Sequence, residues 1–522
     1  MINVSDTWKQ KQSNLLAPEG FVEISYLVSE DGLQESAMAS STDEVYFSET
    51  SKIVDIVPEI KNKRYVTNEL NLWVLDGTRN VLPNTDTDNT GYVSSGLNEG
   101  SVDIMLGEVH EQPIQGITIQ WCEEFGEYAT DFVVSVYNGN AEIASKVVSG
   151  NTDIISLVEF DIANYDRIRI TVIEWNNPSH RARIEQVTLG VTKIYLKKDL
   201  MSFRHNQSGS LVSGELPKNS IEFSLDNSDG RWNPNNPQSH ERYLSERQKL
   251  KVRYGFDIGG TVEWINAGTF FLSEWRTPSN GIQATFTARD LLEYMIDKPY
   301  TGVMSGTLYN IAQNALKLAD LPARTEVYLD ETLKKYTADF DGEYCIAEVL
   351  QMCANAARCV FYQDRNGVLR IEYKNDPVGD YAITGDISYS YPEFDLSKPL
   401  KSIVVGYGED SEYEYPVGKE GEVQTITNPF ISTEEQAEEI AKWVENSMKF
   451  RKNISGEYRA DPRLDVFDKI RVEGKYGTNN AVVITNVSYT FTGAFRGTYE
   501  GVITEFTPVN AAYCGEIYVG EV

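Results

Sequence analysis

The sequence predicts a mainly β chain that carries one small α/β module. Apolar and polar side chains alternate along most of the chain, as at Ile221, Phe223 and Leu225, and this period of two is typical of a strand with one buried face. Loops rich in Asn, Asp, Gly and Pro separate the alternating runs, which is the pattern of an antiparallel β protein. One stretch, within residues 301–384, changes to a helical period.

Length and charge bound the class of protein. A chain of 522 residues is too long for one core and predicts roughly three to four domains. The formal net charge of −31 repels phosphates, which argues against sequence-specific nucleic-acid binding. Five cysteines without a Cys-x-x-Cys pair argue against a disulfide framework and fit folding in a reducing cytoplasm. The sequence contains no run of membrane-spanning length, so we expect no membrane insertion.

Periodicity and composition divide the first part of the chain. Residues 1–61 hold short strands that need partners further along, because hairpins are not stable alone. The strand runs within 193–300 are the best partners, so we expect these two segments to form one β domain. Residues 62–192 then form an insertion. Its alternating runs predict a β-sandwich or jelly roll, and they lie at 117–121, 132–137 and 168–173.

Residues 301–384 form the predicted α/β module. Apolar residues recur at helical spacing over 308–319, which indicates an amphipathic helix. Ser305 or Thr307 is placed to cap this helix. The Asn-Gly pair at 366–367 predicts a hairpin between two strands that follow a second helix.

The remainder of the chain returns to strands. Residues 385–510 hold several alternating runs and one acidic helix, which a capping box at 432–435 is expected to open. Residues 511–522 form a C-terminal tail that is either an additional strand or a plain extension.

One ordered series of segments carries a family resemblance. Residues 219–237 combine an alternating strand, a turn rich in Asp, Asn and Gly, and a stiff excursion with Trp232 and two prolines. Alternating runs follow at 250–255 and 268–275. In this order the segments resemble the hub proteins at the tip of phage tails and of related phage-tail-like particles.

This resemblance implies an architecture and a set of partners. It implies two tail-tube-like β-barrel domains, the first hub barrel in residues 1–61 plus 193–300 and the second in 385–510. Similar hubs are homotrimers that join the sixfold tail tube to a threefold tip and pass DNA through their lumen. The implied partners are the distal tail protein or tail tube, the tape measure, and tail fibre or spike proteins. The implied location is the virion, at the tail tip or baseplate, for a protein made in the bacterial host cytoplasm.

The insertion carries a second resemblance. Segments 71–77 and 181–187, together with the strand that ends at Trp121, are similar to galactose-binding-like jelly rolls of the discoidin or coagulation-factor C type. The resemblance implies carbohydrate binding, here to a host-surface glycan. Contact with another baseplate protein is the alternative.

One loop of the insertion has the chemistry of a sugar site. Sugar recognition needs an aromatic face for the C–H side of the ring and a few fixed polar groups for the hydroxyls. The candidate carbohydrate-binding residues are Trp175, Asn176, Asn177, His180 and Arg181. The alternative interpretation is that Trp175 ends a core strand and that Arg181 makes a structural ion pair.

Asp86 and Asp88 are candidate ligands of a structural calcium ion in the jelly roll. They begin an alternating set of oxygen ligands that ends at Gly91, but the twelfth position is Leu97, so the segment is not an EF-hand. Galactose-binding-like folds often hold a cation in a loop, which keeps another type of calcium site open. A polar turn is the alternative, and no other cofactor is expected.

Catalytic signatures are absent from the sequence. His240 and Glu241 begin like a zinc-protease helix, but Leu244 stands where the second His is required. We therefore expect a non-enzymatic hub. Two other classes stay open: a free-standing carbohydrate-binding adhesin, which would be a monomer with its own glycan affinity, and a cell-wall hydrolase with an unrecognised carboxylate pair, which would turn over peptidoglycan.

Overall fold

The structure is a computed structural model. It describes residues 1–14, 18–28, 33–45, 48–54, 91–123, 125–212, 214–236, 239–277, 282–322, 325–375, 377–396, 398–447, 452–475 and 478–505. The chain divides into two compact units. Unit 1 comprises Met1–Ile24, Tyr195–Asp229 and Leu250–Val522, and unit 2 comprises Ser25–Ile194 and Gly230–Lys249.

The helices of the described residues are α1 (Asp6–Ser13), α2 (Leu33–Ser36), α3 (Leu308–Leu318), α4 (Ile346–Ala356) and α5 (Glu434–Ser447). Short 3₁₀ turns lie at Thr50–Val54, Glu241–Tyr243, Leu291–Tyr294 and Glu331–Lys334. The strands up to residue 195 are β1 (Gly20–Val28), β2 (Met38–Ser40), β3 (Tyr92–Val93), β4 (Gly100–His110), β5 (Ile114–Gln120), β6 (Ala129–Asn138), β7 (Ala141–Val148), β8 (Ile155–Ile162), β9 (Tyr165–Trp175), β10 (Arg183–Ile184), β11 (Gln186–Leu189) and β12 (Val191–Tyr195).

The strands after residue 195 are β13 (Leu200–Ser208), β14 (Lys218–Asp226), β15 (Lys249–Asp257), β16 (Val262–Arg276), β17 (Gln283–Arg289), β18 (Ser305–Thr307), β19 (Val327–Leu329), β20 (Thr337–Asp339), β21 (Val360–Gln363), β22 (Leu369–Glu372), β23 (Ala382–Ile383), β24 (Glu393–Leu396), β25 (Leu400–Tyr407), β26 (Ser411–Pro416), β27 (Glu422–Ile426), β28 (Lys452–Arg459), β29 (Lys469–Glu473), β30 (Asn479–Phe491) and β31 (Phe495–Glu505). The prediction of a mainly β chain with a small α/β module is confirmed.

Unit 1 contains the same five-stranded arrangement twice. Repeat 1 consists of β13 to β17 and has the spatial order β13-β14-β17-β16-β15. Repeat 2 consists of β24 and β28 to β31 and has the order β24-β28-β31-β30-β29. Corresponding strands follow one another in the same order along the chain, with β25 to β27 and α5 placed between β24 and β28. The two repeats therefore share one topology.

A β-bulge shows that the repeats also share their register. In repeat 1 the bulge on β16 leaves Ser273 without a partner on β17, and its Oγ donates to the carbonyl of Thr287 at 3.2 Å. In repeat 2 the bulge on β30 leaves Thr485 without a partner on β31, and its Oγ1 donates to the carbonyl of Glu500 at 3.3 Å. A bulge re-aims a strand at a defined residue, so Ser273 and Thr485 give a common reference position from which paired residues of the two repeats can be matched.

The repeats join into one sheet instead of two separate barrels. β13 pairs with β14 on one side and with the C-terminal part of β30 on the other, with Phe203 opposite Phe491. Within the described residues neither repeat closes on itself, in contrast to the two barrels that the resemblance implied. The physical reason is that the edge of β13 that would close repeat 1 is occupied by repeat 2.

The α/β module packs α3 and α4 against α5 and β25 around one apolar core. Thr307 caps α3, since its Oγ1 accepts from the backbone N–H of Asn310 at 3.2 Å. The residue that caps α5 lies one position later than predicted: Gln436 donates its backbone N–H to the Oγ1 of Thr433 at 3.2 Å. The amide oxygen of Gln436 accepts from the backbone of Ser432 at 3.0 Å, which pre-orders the first turn.

The predicted Asn-Gly hairpin joins β21 and β22. Its turn carries Arg365, whose side chain is only 4% exposed. The guanidinium donates to Asp465 at 2.8 Å and to the carbonyls of Pro462 and Leu464, both at 2.6 Å. A buried guanidinium with this many partners fixes the module against the loop that precedes β29.

Unit 2 is built from two sheets around a shared core. The larger sheet has the order β2-β4-β9-β6-β7 and the smaller has the order β11-β5-β8. Their facing side chains form one core that includes Trp121, Phe132 and Trp175. Strands alternate between buried and half-buried residues, as β6 does, which is typical of a sandwich with solvent on its outer faces.

Several expectations concern residues outside the described ones. These are Asp86, Asp88, segment 71–77 and the tail 511–522. Within the part of the chain that the structure describes, none of the helices is both long and apolar enough to span a membrane.

Candidate functional site

The first candidate site is the turn that follows β9 in unit 2. Trp175 ends that strand and is 1% exposed. Its indole Nε1 donates to Glu127 at 3.1 Å, and its ring packs edge-on against Trp121 with centroids 5.9 Å apart. Neither face of the ring is available to a sugar in this conformation, and Trp175 ends a core strand, as the alternative interpretation held.

The structure brings the other four predicted residues into the same turn. Asn176 is exposed, and its backbone N–H donates to the carbonyl of Tyr128 at 3.0 Å. Asn177 is half-buried, and its amide nitrogen lies 3.1 Å from Nδ1 of His180. The guanidinium of Arg181 donates to the carbonyl of Ser94 at 3.0 Å. The amide of Asn176 also accepts from the backbone N–H of Tyr128 and donates to the carbonyl of Gly126, both at 3.3 Å, so Asn176 is exposed but already hydrogen-bonded within the turn, and Arg181 is half-buried.

Glu127 is the centre of the cluster, and sequence reasoning missed it. Its side chain is buried and accepts from Trp175 and from Asn177, the latter at 3.5 Å, and it contacts His180. A backbone bridge in which Cys122 and Glu127 exchange two hydrogen bonds of 3.0 Å turns this carboxylate inward. The signal was weak, because Glu127 lies in a short acidic turn that reads as surface.

A second polar surface lies on the outer face of the larger sheet of unit 2. Arg169 on β9 donates to both carboxylate oxygens of Asp103 on β4, at 2.7 and 2.6 Å. The guanidinium of Arg167, two residues earlier, lies 4.3 Å from the ring centroid of Tyr137 on β6. Planar guanidinium groups beside an aromatic ring suit the recognition of sugar hydroxyls and carboxylates. Arg167 and Arg169 alternate along one strand in the sequence, but the sequence alone did not predict a site at these residues.

A cavity of about 490 Å³ in unit 1 does not offer a catalytic arrangement. Its charged side chains are already paired with one another or with close neighbours. Arg365 bonds Asp465 at 2.8 Å, and Asp364 bonds Arg370 at 2.7 Å. Lys374 contacts Glu372 at 2.9 Å. A general acid or base needs a free proton position aimed at a substrate, and the paired groups of this cavity do not present one.

The joint between the two repeats holds a buried polar cluster. His205 on β13 stands opposite Tyr489 on β30 and is fully buried. Its Nδ1 lies 2.6 Å from the hydroxyl of Tyr254, and its Nε2 lies 2.8 Å from Oδ1 of Asn219. Burial lowers the pKa of His205 to about 4. The imidazole is therefore neutral at neutral pH and accepts from Tyr254 while it donates to Asn219.

The other end of the sheet is exposed. β24 is the last strand in its path, and it pairs with β28 alone among the described residues. Phe394 on this strand is 44% exposed, and Tyr389 and Tyr391 just before it are 52% and 54% exposed. A free strand edge with exposed aromatic side chains is a site for pairing with another chain.

The sequence matches no protein-family model and no curated protein sequence. Three solved structures are similar to part of the chain. The chain is similar to a tail protein from Neisseria meningitidis MC58, with 11% identity, a TM-score of 0.43, and coverage of 59% of this chain and 93% of that one. It is also similar to the 43 kDa tail protein of prophage MuSo2 from Shewanella oneidensis, with 14% identity, a TM-score of 0.41, and coverage of 59% of this chain and 95% of that one. The third is the prophage tail protein gp18 from Listeria monocytogenes EGD-e, with 11% identity, a TM-score of 0.38, and coverage of 59% of this chain and 91% of that one.

Proposed function

We propose that this chain is a structural, non-enzymatic protein of a phage tail or a phage-tail-like particle, and that it forms the hub of the tail tip. The observation that carries the proposal is the tandem repeat in unit 1. Two copies of one five-stranded plan lie side by side in a single sheet, and the β13·β30 pairing joins them. The sheet ends at the exposed edge of β24.

A chain with two equivalent repeats can join a sixfold assembly to a threefold one. A sheet that continues from copy to copy buries its open edges only when it closes into a ring. Three copies would place six equivalent repeats around one axis, which matches a sixfold tail tube on one side and a threefold tip on the other. The proposed partners are the distal tail protein or tail tube, the tape measure, and fibre or spike proteins, all at the tail tip of the virion.

The proposal extends to DNA passage. The net charge of −31 would repel DNA phosphates from any acidic lumen surface, so that DNA slides without binding. This property belongs to the assembled ring.

Unit 2 is proposed to contact a host-surface glycan or another baseplate protein. At the predicted loop, Asn176 and Arg181 would supply the ligand contacts, with Asn177 and His180 behind them, because Trp175 is enclosed in the core. The Tyr137, Arg167 and Arg169 surface adds an aromatic and cationic face. Three copies in one ring would convert weak sugar contacts into useful avidity.

Glycan array binding of the full chain tests this part of the proposal. Asn176→Ala and Arg181→Ala in one variant, and Arg167→Ala and Arg169→Ala in another, separate the two surfaces. Loss of binding in one variant alone assigns the site. No binding by the wild-type chain in its assembled form would leave the baseplate partner as the role of unit 2.

Mass and shape in solution test the hub itself. The full chain is expected to form closed rings of three copies in native mass spectrometry and negative-stain electron microscopy. A monomer that binds glycans with full affinity would support the adhesin alternative. Turnover of peptidoglycan that one Asp or Glu substitution abolishes would support the hydrolase and contradict the proposed function.

A further inference from the structure

The joint between repeats 1 and 2 gives a template for contacts between copies of the chain. In that joint β13 runs antiparallel to the C-terminal part of β30, with His205 opposite Tyr489 and Asn206 opposite Ser488. The hydroxyl of Ser488 donates to Oδ1 of Asn206 at 2.8 Å. Repeat 1 thus contributes its β13 edge, and repeat 2 contributes the far end of β30.

The matched bulges assign the equivalent residues on the inner strands. Ala288 on β17 and Gly501 on β31 stand at the same place relative to the bulge. Ile221 pairs with Ala288 in repeat 1, and Ile454 pairs with Gly501 in repeat 2. Ile221 and Ile454 are therefore equivalent, and both are buried.

The same comparison of paired residues identifies which strands correspond to the two strands of the joint. His205 pairs with Ile221 and Phe394 pairs with Ile454, so β24 is the equivalent of β13 and Phe394 stands in the place of His205. Asp395 then stands in the place of Asn206.

On the other side, Thr498 on β31 corresponds to Thr285 on β17. Their partners Ser488 and Arg276 are therefore equivalent as well.

Both of these equivalent surfaces are exposed. Phe394 is 44% exposed and Asp395 is exposed. On the partner side, β15 has nine residues and leads through a tight turn into β16, so its length reaches along only the first part of the 15 residues of β16. The end of β16 around Arg276 extends past it, as the end of β30 extends past β29, and Arg276 is exposed.

We infer that β24 of one copy pairs antiparallel with the C-terminal end of β16 of a second copy, in the register of the β13·β30 joint. Phe394 then lies opposite Thr277 of the second copy, and Asp395 lies opposite Arg276. The inference deepens the proposed ring and rests on it, since it names the surface through which successive copies join. The contact is heterologous, so it continues from copy to copy until the ring closes.

The charges of the two edges support a second copy as the occupant. The register places a carboxylate against a guanidinium at the position where the internal joint has its Asn206 to Ser488 hydrogen bond. Neither Asp395 nor Arg276 has an ion-pair partner within the part of the chain that the structure describes. A charge pair across an interface sets its register and excludes other partners.

A charge swap in the full chain tests the inference. Asp395→Arg and Arg276→Asp should each weaken self-association at least about tenfold, because each places like charges in contact. The double variant should recover association to near the wild-type value. The control is Asp410→Arg, which makes the same charge change at an exposed turn outside the two repeats and should leave association unchanged. The measurement is sedimentation velocity over a concentration series.

Disulfide trapping gives a second readout that does not depend on the strength of association. Chains with Asp395→Cys are mixed with chains with Arg276→Cys under mild oxidation, and a covalent dimer is expected only in the mixture. Rings that form without this crosslink and that tolerate both charge reversals would overturn the inference and leave the proposed function standing. A chain that neither associates nor crosslinks at any concentration would overturn both.

Discussion

The Nε2 atom of His205 lies 2.8 Å from the Oδ1 atom of Asn219, deep in the joint of the two repeats. The side chain of Asn219 also hydrogen-bonds the carboxyl group of Asp290. This chain of hydrogen bonds places two buried titratable groups at either end of one amide. Burial lowers the pKa of His205 to about 4 and raises the pKa of Asp290 to about 7. The two groups therefore give unit 1 opposite dependences on pH.

His205 is expected to destabilise unit 1 in acid. The unfolded chain protonates this imidazole near its ordinary pKa of about 6.5, whereas the folded chain does so only near 4. The stability from neutral His205 is present above about pH 6.5 and is lost as the pH falls towards 4, by about 3 kcal/mol. His205→Phe should flatten this slope, measured by hydrogen exchange of β13 amides between pH 4.5 and 7.5. Tyr254→Phe keeps the titrating imidazole and should keep the slope. Equal slopes in wild type and His205→Phe would contradict the assignment.

Asp290 is expected to act in the other direction. The unfolded carboxyl group loses its proton near 3.9, and the folded group keeps it until about 7. Rising pH therefore favours unfolding across this window, by about 4 kcal/mol in total. Asp290→Asn keeps the cap on the backbone N–H of Leu292, which is 3.1 Å from the carboxylate. The variant should gain stability over wild type at pH 8 and lose most of this gain at pH 5.

Asp330 supplies the matched control for that experiment. It also caps a 3₁₀ turn, by accepting from Thr332 at 2.9 Å. Despite partial burial, hydrogen bonds from Thr332 lower the pKa of Asp330. Asp330→Asn should therefore lose stability at pH 8. The same sign for both variants in urea titrations would show that burial of Asp290 does not govern its titration.

Arg365 is expected to be the most sensitive residue of the α/β module. Arg365→Met leaves the half-buried Asp465 and two backbone carbonyls without their donor, which should lower the free energy of unfolding by about 3–5 kcal/mol. Arg370→Met, in the same hairpin, removes a partly exposed ion pair with Asp364 and should cost less than about 1 kcal/mol. Urea midpoints followed by near-ultraviolet circular dichroism compare the two. Similar losses would show that the buried clamp does not hold the module.

Glu127 is expected to stabilise unit 2 and to have no direct part in ligand binding. Glu127→Leu removes the acceptor of Trp175 and Asn177, which should lower the stability of unit 2 by about 2–3 kcal/mol. Ser179→Ala changes an exposed side chain of the same turn and should change stability by less than about 0.5 kcal/mol. Tryptophan fluorescence during unfolding reports on Trp121 and Trp175. A neutral Glu127→Leu variant would show that the cluster does not order the turn.

Local patterns predicted local structure well, and long-range pairing was beyond them. The period-two alternation of Ile221, Phe223 and Leu225 and the cap at Thr307 depend on neighbours in sequence, so they were readable. The pairing of β13 with β30 joins residues almost 300 positions apart, and the sequence of neither strand indicates which strand it pairs with. The equivalence of Ser273 and Thr485 depends on a β-bulge in each repeat. A bulge adds only one residue to a strand and leaves no pattern that can be recognised in the sequence.

The predicted glycan loop shows the same division. The sequence brought Trp175, His180 and Arg181 into one turn because they are neighbours in the chain. The side on which the Trp175 ring lies depends on Glu127, which is 48 residues away and turned inward by a backbone bridge. An aromatic residue at a strand end can face either way, and a tertiary hydrogen bond decides between core and surface.

The central claim is that copies of this chain close into a ring through repeated strand edges. Negative-stain electron microscopy of the purified full chain, with its mass measured in the same preparation, tests this claim most directly. Closed rings of three copies, with six equivalent repeats around a central hole, are the result we predict. Particles that stay monomeric at every concentration and that give no crosslink between cysteines at positions 395 and 276 would contradict it.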